Sequence, residues 1–246
     1  MNIDIQRKSA LRGWRGVLAL AALALLAGCA GTTRAPSDKD PYEGFNRAMF
    51  EVHEGIDKAA LKPLAKGYDA VVPLPARMGV HNFYENVWDL NRGANALFQG
   101  KGEEGMTGFG RLLINSTVGI FGLFDVASEL GLDQGEEDFG QTLAVWGVSD
   151  GPYVFLPIIG PNTARDLVGW GVDQVFYPLW WDLDDVPLRN SLIALRAVEY
   201  RARLLPADKV VEEAALDKYA YIRSAYLQRR HSQIHDGRPP REQDDN

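Results

Sequence analysis

The sequence predicts a single, mainly α-helical domain, and three observations support this prediction. Apolar residues recur every three or four positions, alternation with period two is scarce, and no repeat or linker divides the chain after residue 40. A chain of 246 residues, of which 46% are hydrophobic, can bury a sizeable core. This composition excludes a disordered chain, and the net charge of −7 excludes nucleic-acid binding through a basic surface.

The first 28 residues have the composition of an export signal. Four basic residues precede an apolar run at positions 17–27 (VLALAALALLA), which is too short to span a bilayer. The run ends in Leu26-Ala27-Gly28-Cys29, which resembles the bacterial lipobox, where the cysteine thiol receives diacylglycerol before cleavage. An ordinary signal peptide with an incidental cysteine is the alternative. We predict a lipoprotein signal peptide over residues 1–28 and a mature chain that begins at acylated Cys29.

Cys29 is the single cysteine of the chain, which excludes an internal disulfide and a cysteine-rich zinc site. Residues 29–39 are predicted to form a short tether that carries a diacylglycerol and an N-acyl chain. Because the mature chain is acidic, acyl chains and apolar surface must hold it on a membrane. Ala30 follows the cysteine, and by resemblance to other lipoproteins of bacteria with two membranes it favours transfer to the outer membrane.

Amphipathic segments predict the helices of the domain, which we place over residues 40–235. The first three apolar stripes are Phe45, Met49, Val52 and Ile56; Val80, Phe83, Tyr84, Val87 and Leu90; and Met106, Phe109, Leu112 and Leu113. The longest segment runs from Leu188 to Leu205, with Pro187 in its first turn and Pro206 predicted to end it. A last helix is predicted over residues 209–233, with a break near Asp217. Residues 236–246 are predicted to be a disordered tail.

Two apolar segments are interrupted by glycine and proline, at residues 119–130 (GIFGLFDVASEL) and 151–161 (GPYVFLPIIGP). Further along the chain, an aromatic group surrounds Pro178 and consists of Phe176, Tyr177, Trp180 and Trp181. Such aromatic residues are typical of the membrane–water interface, but the same patterns occur in protein cores. Both interpretations remain open. No mature segment has 18 uninterrupted apolar residues, so we predict no transmembrane helix.

Residues 147–151 (GVSDG) match G-x-S-x-G, the turn that presents a nucleophilic serine in lipases and esterases. That turn needs a strand before it and a helix after it. Residues 138–146 instead have the pattern of a helix, and two prolines follow within ten residues. The downstream histidines, His231 and His235, lie in a polar stretch. An esterase that uses Ser149 is therefore an alternative function and not the expected one.

Two further motifs have structural explanations. Residues 100–105 (GKGEEG) match G-x-G-x-x-G, but they follow a helical stretch, and their two glutamates would repel phosphate, so we predict a turn that starts a helix. His231 and His235 have the spacing of two metal ligands on one helix face, yet no third ligand is evident. We predict no metal site and no catalytic residue.

A series of separated motifs resembles the MlaA family of lipoproteins. The domain opens with DPYEGFNR at residues 40–47, and the family signature is usually written DP-x-EGFNR. The likeness continues at residues 72–77 (VPLPAR), 97–100 (LFQG), 115–117 (NST), 122–127 (GLFDVA), 138–142 (DFGQT), 146–148 (WGV), 151–153 (GPY), 165–166 (RD) and 177–178 (YP). The resemblance covers residues 40–233, and its many motifs occur in one order, which makes it specific.

The resemblance implies a ring-shaped, all-α domain whose amphipathic helices surround a central amphipathic channel. Members of the family lie in the inner leaflet of the outer membrane, against trimeric general porins. They let phospholipids that have strayed into the outer leaflet descend through the channel, pass them to a soluble periplasmic carrier and so maintain lipid asymmetry. The family is not known as an enzyme and uses no cofactor. A purely structural lipoprotein that braces porins is a second alternative.

The resemblance also implies candidate site residues. Gly147, Gly151 and Pro152 match the family's flexible loop beside the channel, so we predict that the two glycines act as hinges. Gly44 and the two residues after it, Phe45 and Asn46, match the signature that opens the first helix. We predict that they fix this helix and thereby the closed state of the passage, with packing alone as the alternative role.

Overall fold

Helices make up most of the chain in the computed structural model, which describes residues 40–177 and 183–240. The predicted signal peptide, Cys29, the tether up to residue 39, Pro178, Trp180, Trp181 and the tail from residue 241 lie outside the described residues. Within the described residues, no helix combines the length and the apolar character that crossing a membrane requires.

The first half of the domain contains one continuous helical segment and one helical pair. Helix α1 (Glu43–Ile56) continues through a π-helical turn (Asp57–Leu61) into α2 (Lys62–Val71). Helices α3 (Leu74–Phe98) and α4 (Gly102–Thr117) pack along each other and are joined by a short turn at Gly100. The turn that we predicted at residues 100–105 is thereby confirmed, with the two glutamates in the first turn of α4.

In the part that the structure describes, the second half of the domain contains five helices and a small hairpin. Helix α5 (Val126–Glu129) packs on α4, and α6 (Phe139–Val145) leads into the strands β1 (Tyr153–Leu156) and β2 (Gly160–Thr163). Helix α7 (Ala164–Val175) packs against α6. The longest helix, α8 (Val186–Ala214), packs on α2, and α9 (Lys218–Ile234) contacts α6 and β2.

Side-chain caps mark the starts of five helices. The capping residues are Asp125, Asp138, Thr163, Asp185 and Asp217, and each accepts a hydrogen bond from the backbone N–H three residues further on. Such caps satisfy a backbone donor that the helix itself leaves unpaired. The cap at Asp217 separates α8 from α9 and confirms the predicted break at this position.

The prediction that Pro206 ends its helix is wrong, because α8 continues to residue 214. A proline inside a helix removes one backbone hydrogen bond and costs about 3 kcal/mol. Ion pairs on both sides of the proline stabilise the continuous helix. Arg201 contacts Asp57 of the π-helical turn at 2.6 Å and Asp208 at 2.8 Å, and thus holds the segment beyond Pro206 in place.

The predicted single, mainly α-helical domain is confirmed, with one addition. Strands β1 and β2 form an antiparallel hairpin in which Tyr153 is opposite Thr163 and Leu156 is opposite Gly160. Tyr153 and Phe155 point inward and are buried. Strands of four residues are too short to give a clear period-two pattern in the sequence, which explains why the hairpin was not predicted.

A small aromatic core joins the hairpin to the first and last helices. Phe50 contacts Phe155 and Tyr219 edge-on, with ring centroids 5.4 and 5.9 Å apart, and Met49 belongs to the same cluster. Aromatic pairs in this arrangement stabilise the fold beyond their buried area. The two ends of the domain are therefore held together by packing as well as by hydrogen bonds.

Elsewhere the buried side chains are largely polar. On the α3–α4 pair, Arg111 is 2% exposed and its guanidinium contacts Asp89 and Asp125 at 3.1 Å. Asn115 also donates to Asp125, at 3.0 Å. Buried charges are stable only when they are paired and hydrogen-bonded, as these are. These helices therefore turn polar faces toward the interior of the domain.

Candidate functional site: an interhelical cavity

A cavity of about 630 Å³ lies between α7, α8 and α9, and Trp88 of α3, the start of α6 and the hairpin complete its wall. We call it the interhelical cavity. Its polar lining includes Asp138, Asp166, Asp173, Asp208, Arg229 and Arg230. Its apolar lining includes Trp88, Ile159, Trp170, Leu204, Val211 and Tyr221. A wall with charged and apolar parts can hold an amphipathic molecule of this size.

Arg230 organises the polar wall. Its guanidinium donates to both carboxylate oxygens of Asp138, at 2.5 and 2.7 Å, and to Oδ1 of Asp166 at 2.9 Å. Tyr226 donates to the other oxygen of Asp166 at 2.6 Å. Although burial opposes ionisation, Arg230 holds the pKa of Asp166 below its ordinary value. One charged network therefore ties α6, α7 and α9 together around the cavity.

Asp173 lies in the same wall, on α7, and is 4% exposed. Its Oδ1 accepts a hydrogen bond from Asn95 Nδ2 and its Oδ2 from the backbone N–H of Phe139, both at 3.0 Å. Burial raises the pKa of Asp173 to about 6, and the charge of nearby Asp138 contributes to the increase. Both effects disfavour the ionised carboxylate.

The outer surface near α3 and α4 is apolar. Met106 and Leu113, from one of the predicted stripes, are exposed, and so are the large side chains of the loop after α4: Ile120, Phe121, Leu123 and Phe124. Phe121 is 77% exposed. A helix pair that buries polar residues and exposes apolar ones has the polarity expected next to lipid rather than water. For these residues the structure favours the membrane-surface interpretation over the core.

The two aromatic residues just before Pro178 lie in different environments, one in the interior and one on the outer surface. Tyr177 is buried against Trp88, with ring centroids 5.4 Å apart, and the Arg196 guanidinium lies 4.5 Å from its ring centroid. Phe176, the preceding residue, is 67% exposed. Tyr177 therefore belongs to the interior, whereas Phe176 belongs to the apolar outer surface.

The predicted hinge loop lies beside a second cavity. Gly147 and Gly151 have φ angles of +90° and +66°, which glycine adopts without strain, and both line a cavity of about 590 Å³ that we call the loop cavity. Arg165 holds the loop by a 2.8 Å contact with Asp150. Arg230 lies in the walls of both cavities. Pro152 contributes a backbone carbonyl, which accepts a hydrogen bond from Ala164 N at the start of α7.

Ser149 is exposed in this loop, which follows helix α6 and precedes β1. A nucleophile elbow requires the opposite order, with a strand before the serine and a helix after it. His231 and His235 line the loop cavity, and their ring centroids are 4.6 Å apart. Within the described residues, no group of three histidine, cysteine, aspartate or glutamate side chains could hold a metal ion.

Asn46 connects the signature at the start of α1 to the hairpin. It is fully buried, and its Nδ2 donates to Asp40 Oδ1 at 2.8 Å. Tyr219 and Arg223 of α9 also contact the Asp40 carboxylate. Phe45 packs against the aromatic core, and Gly44 is half-buried on α1. These residues thus fix the first helix against the hairpin and α9, while neither cavity includes them in its lining.

Sequence reasoning missed Arg230, Asp166 and Asp173 as site residues. Arg165-Asp166 was noted only as a motif of the resemblance, and Arg230 and Asp173 lie in segments without a chemical motif. Their partners lie far away in the sequence, since Arg230 is 92 residues from Asp138. A charged residue on a helix gives no signal of such a contact in a single sequence.

Comparison with known proteins gives a consistent set of relatives. A family model described as MlaA lipoprotein matches residues 38–233. The chain is 37% identical over 225 residues to the intermembrane phospholipid transport system lipoprotein MlaA of Escherichia coli (strain K12), which covers 86% of this chain and 87% of that protein. The protein of the same name from Haemophilus influenzae is 32% identical over 227 residues, or 89% of this chain and 90% of that protein.

A protein of unassigned function from Rickettsia typhi is 35% identical over 200 residues, which are 79% of this chain and 78% of that protein. The fold also resembles a solved structure described as the structural basis for maintenance of bacterial outer membrane lipid asymmetry. The TM-score is 0.69 with 35% sequence identity, and the match covers 81% of this chain and 99% of that one.

Proposed function

The chain belongs to the MlaA lipoprotein family, and from this premise we propose that it removes mislocalised phospholipids from the outer leaflet of the outer membrane. The observation that carries the proposal is the reversed polarity of the domain. Charged side chains line the interhelical cavity, whereas Phe121 and other large apolar side chains face outward. A phospholipid needs both environments, since its headgroup is polar and its tails are apolar.

In this proposal the domain lies in the inner leaflet, anchored by the acyl chains on Cys29. Its apolar outer surface would be stabilised in the bilayer by about 25 cal/mol for each Å² removed from water. The lipid headgroup passes through the interhelical cavity as a central channel, and Gly147 and Gly151 allow the neighbouring loop to move. Trimeric porins support the domain laterally, and a soluble periplasmic carrier receives the lipid. Transport is passive in this step.

Complementation tests the proposal. The gene is expressed in a Gram-negative strain that lacks its own MlaA gene, and surface phosphatidylethanolamine is labelled with an amine reagent that does not cross the membrane. The wild-type chain should lower the labelling and restore resistance to detergent. Cys29→Ala should lose membrane retention and both effects. Full activity of Cys29→Ala, or no effect of the wild-type chain, would count against the proposal.

An esterase that uses Ser149 is the first alternative. It predicts hydrolysis of phospholipid esters that Ser149→Ala abolishes. We expect Ser149→Ala to complement as well as the wild-type chain, because Ser149 is exposed in a loop without the strand–turn–helix order of a nucleophile elbow. Ester hydrolysis that is lost in this variant would support the alternative.

A porin-bracing structural protein is the second alternative. It predicts that deletion of the gene leaves outer-leaflet phospholipid unchanged and that the purified chain carries no phospholipid. Lipid analysis of the purified protein distinguishes the two functions directly. We expect phospholipid to copurify, because a protein that only supports porins has no need of a cavity with charged and apolar walls.

A further inference from the structure

Three bases neutralise most of the carboxylates in the wall of the interhelical cavity. Asp138 and Asp166 share the guanidinium of Arg230, at distances of 2.5–2.9 Å. Asp208 contacts Arg201 at 2.8 Å and a lysine of α2 at the same distance. Each of these three carboxylates is therefore compensated by a cation within the domain.

Asp173 is the exception in this wall. Its hydrogen bonds come from neutral groups, the Asn95 amide and the Phe139 backbone N–H, and it forms no ion pair within residues 40–177 and 183–240. A carboxylate has about four lone-pair sites, and these two bonds use one on each oxygen. Both oxygens of Asp173 can therefore accept a further hydrogen bond.

The two guanidinium groups at the junction of α6, α7 and α9 are already paired with other carboxylates. Around the junction of α6, α7 and α9, two guanidinium groups face four carboxylates: Arg165 and Arg230 against Asp138, Asp150, Asp166 and Asp173. A buried carboxylate without a counter-charge destabilises a folded protein. Such a group in a cavity wall marks a candidate binding site for a cation.

We propose that Asp173 accepts hydrogen bonds from the headgroup ammonium of a zwitterionic phospholipid, so that the interhelical cavity prefers headgroups that end in a primary amine. This inference rests on the proposed function. A primary ammonium carries three N–H donors and supplies the missing positive charge. Arg229 lines the same cavity, and its side chain is 72% exposed, so it is available to the lipid phosphate.

Two other headgroups would be recognised by different parts of the wall. A quaternary ammonium has no N–H donor and would be held by the faces of aromatic residues such as Trp88, Trp170 and Tyr221. An anionic headgroup without an amine would contact Arg229 and gain nothing from Asp173. Lipids with identical acyl chains and these three headgroups therefore distinguish the carboxylate from the aromatic residues.

The test is a competition between phosphatidylethanolamine, phosphatidylcholine and phosphatidylglycerol for the purified, full-length acylated protein in detergent micelles. Occupancy is read by native mass spectrometry. At neutral pH we expect phosphatidylethanolamine to bind about tenfold more tightly than either competitor, equivalent to about 1.4 kcal/mol. Asp173→Asn should reduce this ratio to within about twofold. Asp217→Asn, which removes a paired carboxylate outside the lining of this cavity, should preserve it.

Each contrary outcome has a distinct meaning. An unchanged ratio in Asp173→Asn, or equal binding of phosphatidylcholine and phosphatidylethanolamine by the wild-type chain, would overturn the role of Asp173 while the proposed function stands. Absence of bound phospholipid of any kind would contradict the proposed function and the inference together.

A second measurement on the wild-type chain covers the case that Asp173→Asn does not fold. Acidification from about pH 7.5 to about pH 5 protonates Asp173, whose pKa is about 6, while the lipid amine stays charged. The preference for phosphatidylethanolamine over phosphatidylglycerol should then fall several-fold, and a constant preference would overturn the inference. The polar and charged groups that face Asp173 are Asp138 and Phe139 N on α6, Asn91 and Asn95 on α3, and Arg230 on α9.

Discussion

The side-chain amide of Asn46 pairs with the backbone around Phe155 as an additional strand would. Its Oδ1 accepts a hydrogen bond from Phe155 N at 2.9 Å, and its Nδ2 donates to the carbonyl of Tyr153 at 3.0 Å. Both groups lie on the edge of β1, 109 and 107 residues away in the sequence. The Asn46 amide thus provides hydrogen-bond partners for two backbone groups on the edge of β1, which would otherwise be buried and unpaired.

Asn46→Ala should lower the free energy of unfolding by about 2–4 kcal/mol, because it leaves a buried donor and a buried acceptor of β1 without partners. Thermal and urea unfolding of the purified protein, followed by circular dichroism, measures the change. Asn162→Ala is the matched control. Asn162 is also buried, but its side chain donates only a long bond of 3.4 Å within the hairpin, so its loss should cost less than about 1 kcal/mol. Equal costs would contradict the pairing role.

The sequence predicted the importance of Asn46 but not its partner. The resemblance placed Asn46 in a signature, and helical spacing predicted α1 around it, since both are local properties. The contact with β1 spans more than 100 residues and joins an asparagine to backbone atoms, which no side-chain pattern reveals. Helix positions were therefore predictable, whereas the bond that fixes the first helix required the structure.

Apolar spacing also predicted which residues share a face but not what covers that face. Met106 and Leu113 were placed on one stripe of a helix, and this helix is confirmed as α4. The stripe points outward, while Arg111 and Asn115 point inward. Periodicity is identical for an apolar face in a core and one in lipid, so only the buried polar partners distinguish the two cases.

Arg230→Ala should destabilise the domain strongly, because it leaves the carboxylates of Asp138 and Asp166 without a shared cation. Removal of one partner from a buried ion pair typically costs about 3–5 kcal/mol. Arg229→Ala removes the same charge one residue earlier, where the side chain is exposed and lies 3.8 Å from an exposed glutamate. This control should change stability by less than about 1 kcal/mol. Similar melting temperatures for the two variants would show that the network does not hold α6, α7 and α9 together.

Gly169→Ala tests the close approach of α7 to α6. A Cβ at this position would lie 2.3 Å from Gly140 N and 2.5 Å from Gly140 Cα, so the helices would have to separate. We expect a loss of stability of about 3 kcal/mol or more, typical of overpacking against backbone. Gly171→Ala is the control on the same helix, because a Cβ there meets no atom within 4 Å. It should stabilise α7 by up to about 1 kcal/mol through its better helix propensity. A neutral Gly169→Ala would show that the two helices are not in rigid contact.

Asp173 and Asp208 should give pH dependences of opposite sign. An unfolded aspartate has a pKa of about 3.9. Burial raises the pKa of Asp173 to about 6, so the folded state binds more protons between these values, and the stability from Asp173 is lost as the pH rises through about 6. The free energy of unfolding of Asp173→Asn, relative to that of the wild type, should therefore increase by about 2–3 kcal/mol as the pH rises from about 4 to about 7.

The pKa of Asp208 is shifted in the opposite direction. Burial opposes ionisation, but hydrogen bonds from Arg201 and Lys62 hold the pKa of Asp208 below its ordinary value. Its contribution to stability is therefore present above the unfolded pKa and is lost as the pH falls through the folded one. As the pH rises from about 3 to about 5, the free energy of unfolding of Asp208→Asn should decrease relative to that of the wild type. Melting temperatures of the three proteins between about pH 3 and about pH 7 measure both effects. Parallel curves for Asp173→Asn and the wild type would show that the Asp173 carboxylate titrates normally and is not a buried, uncompensated charge.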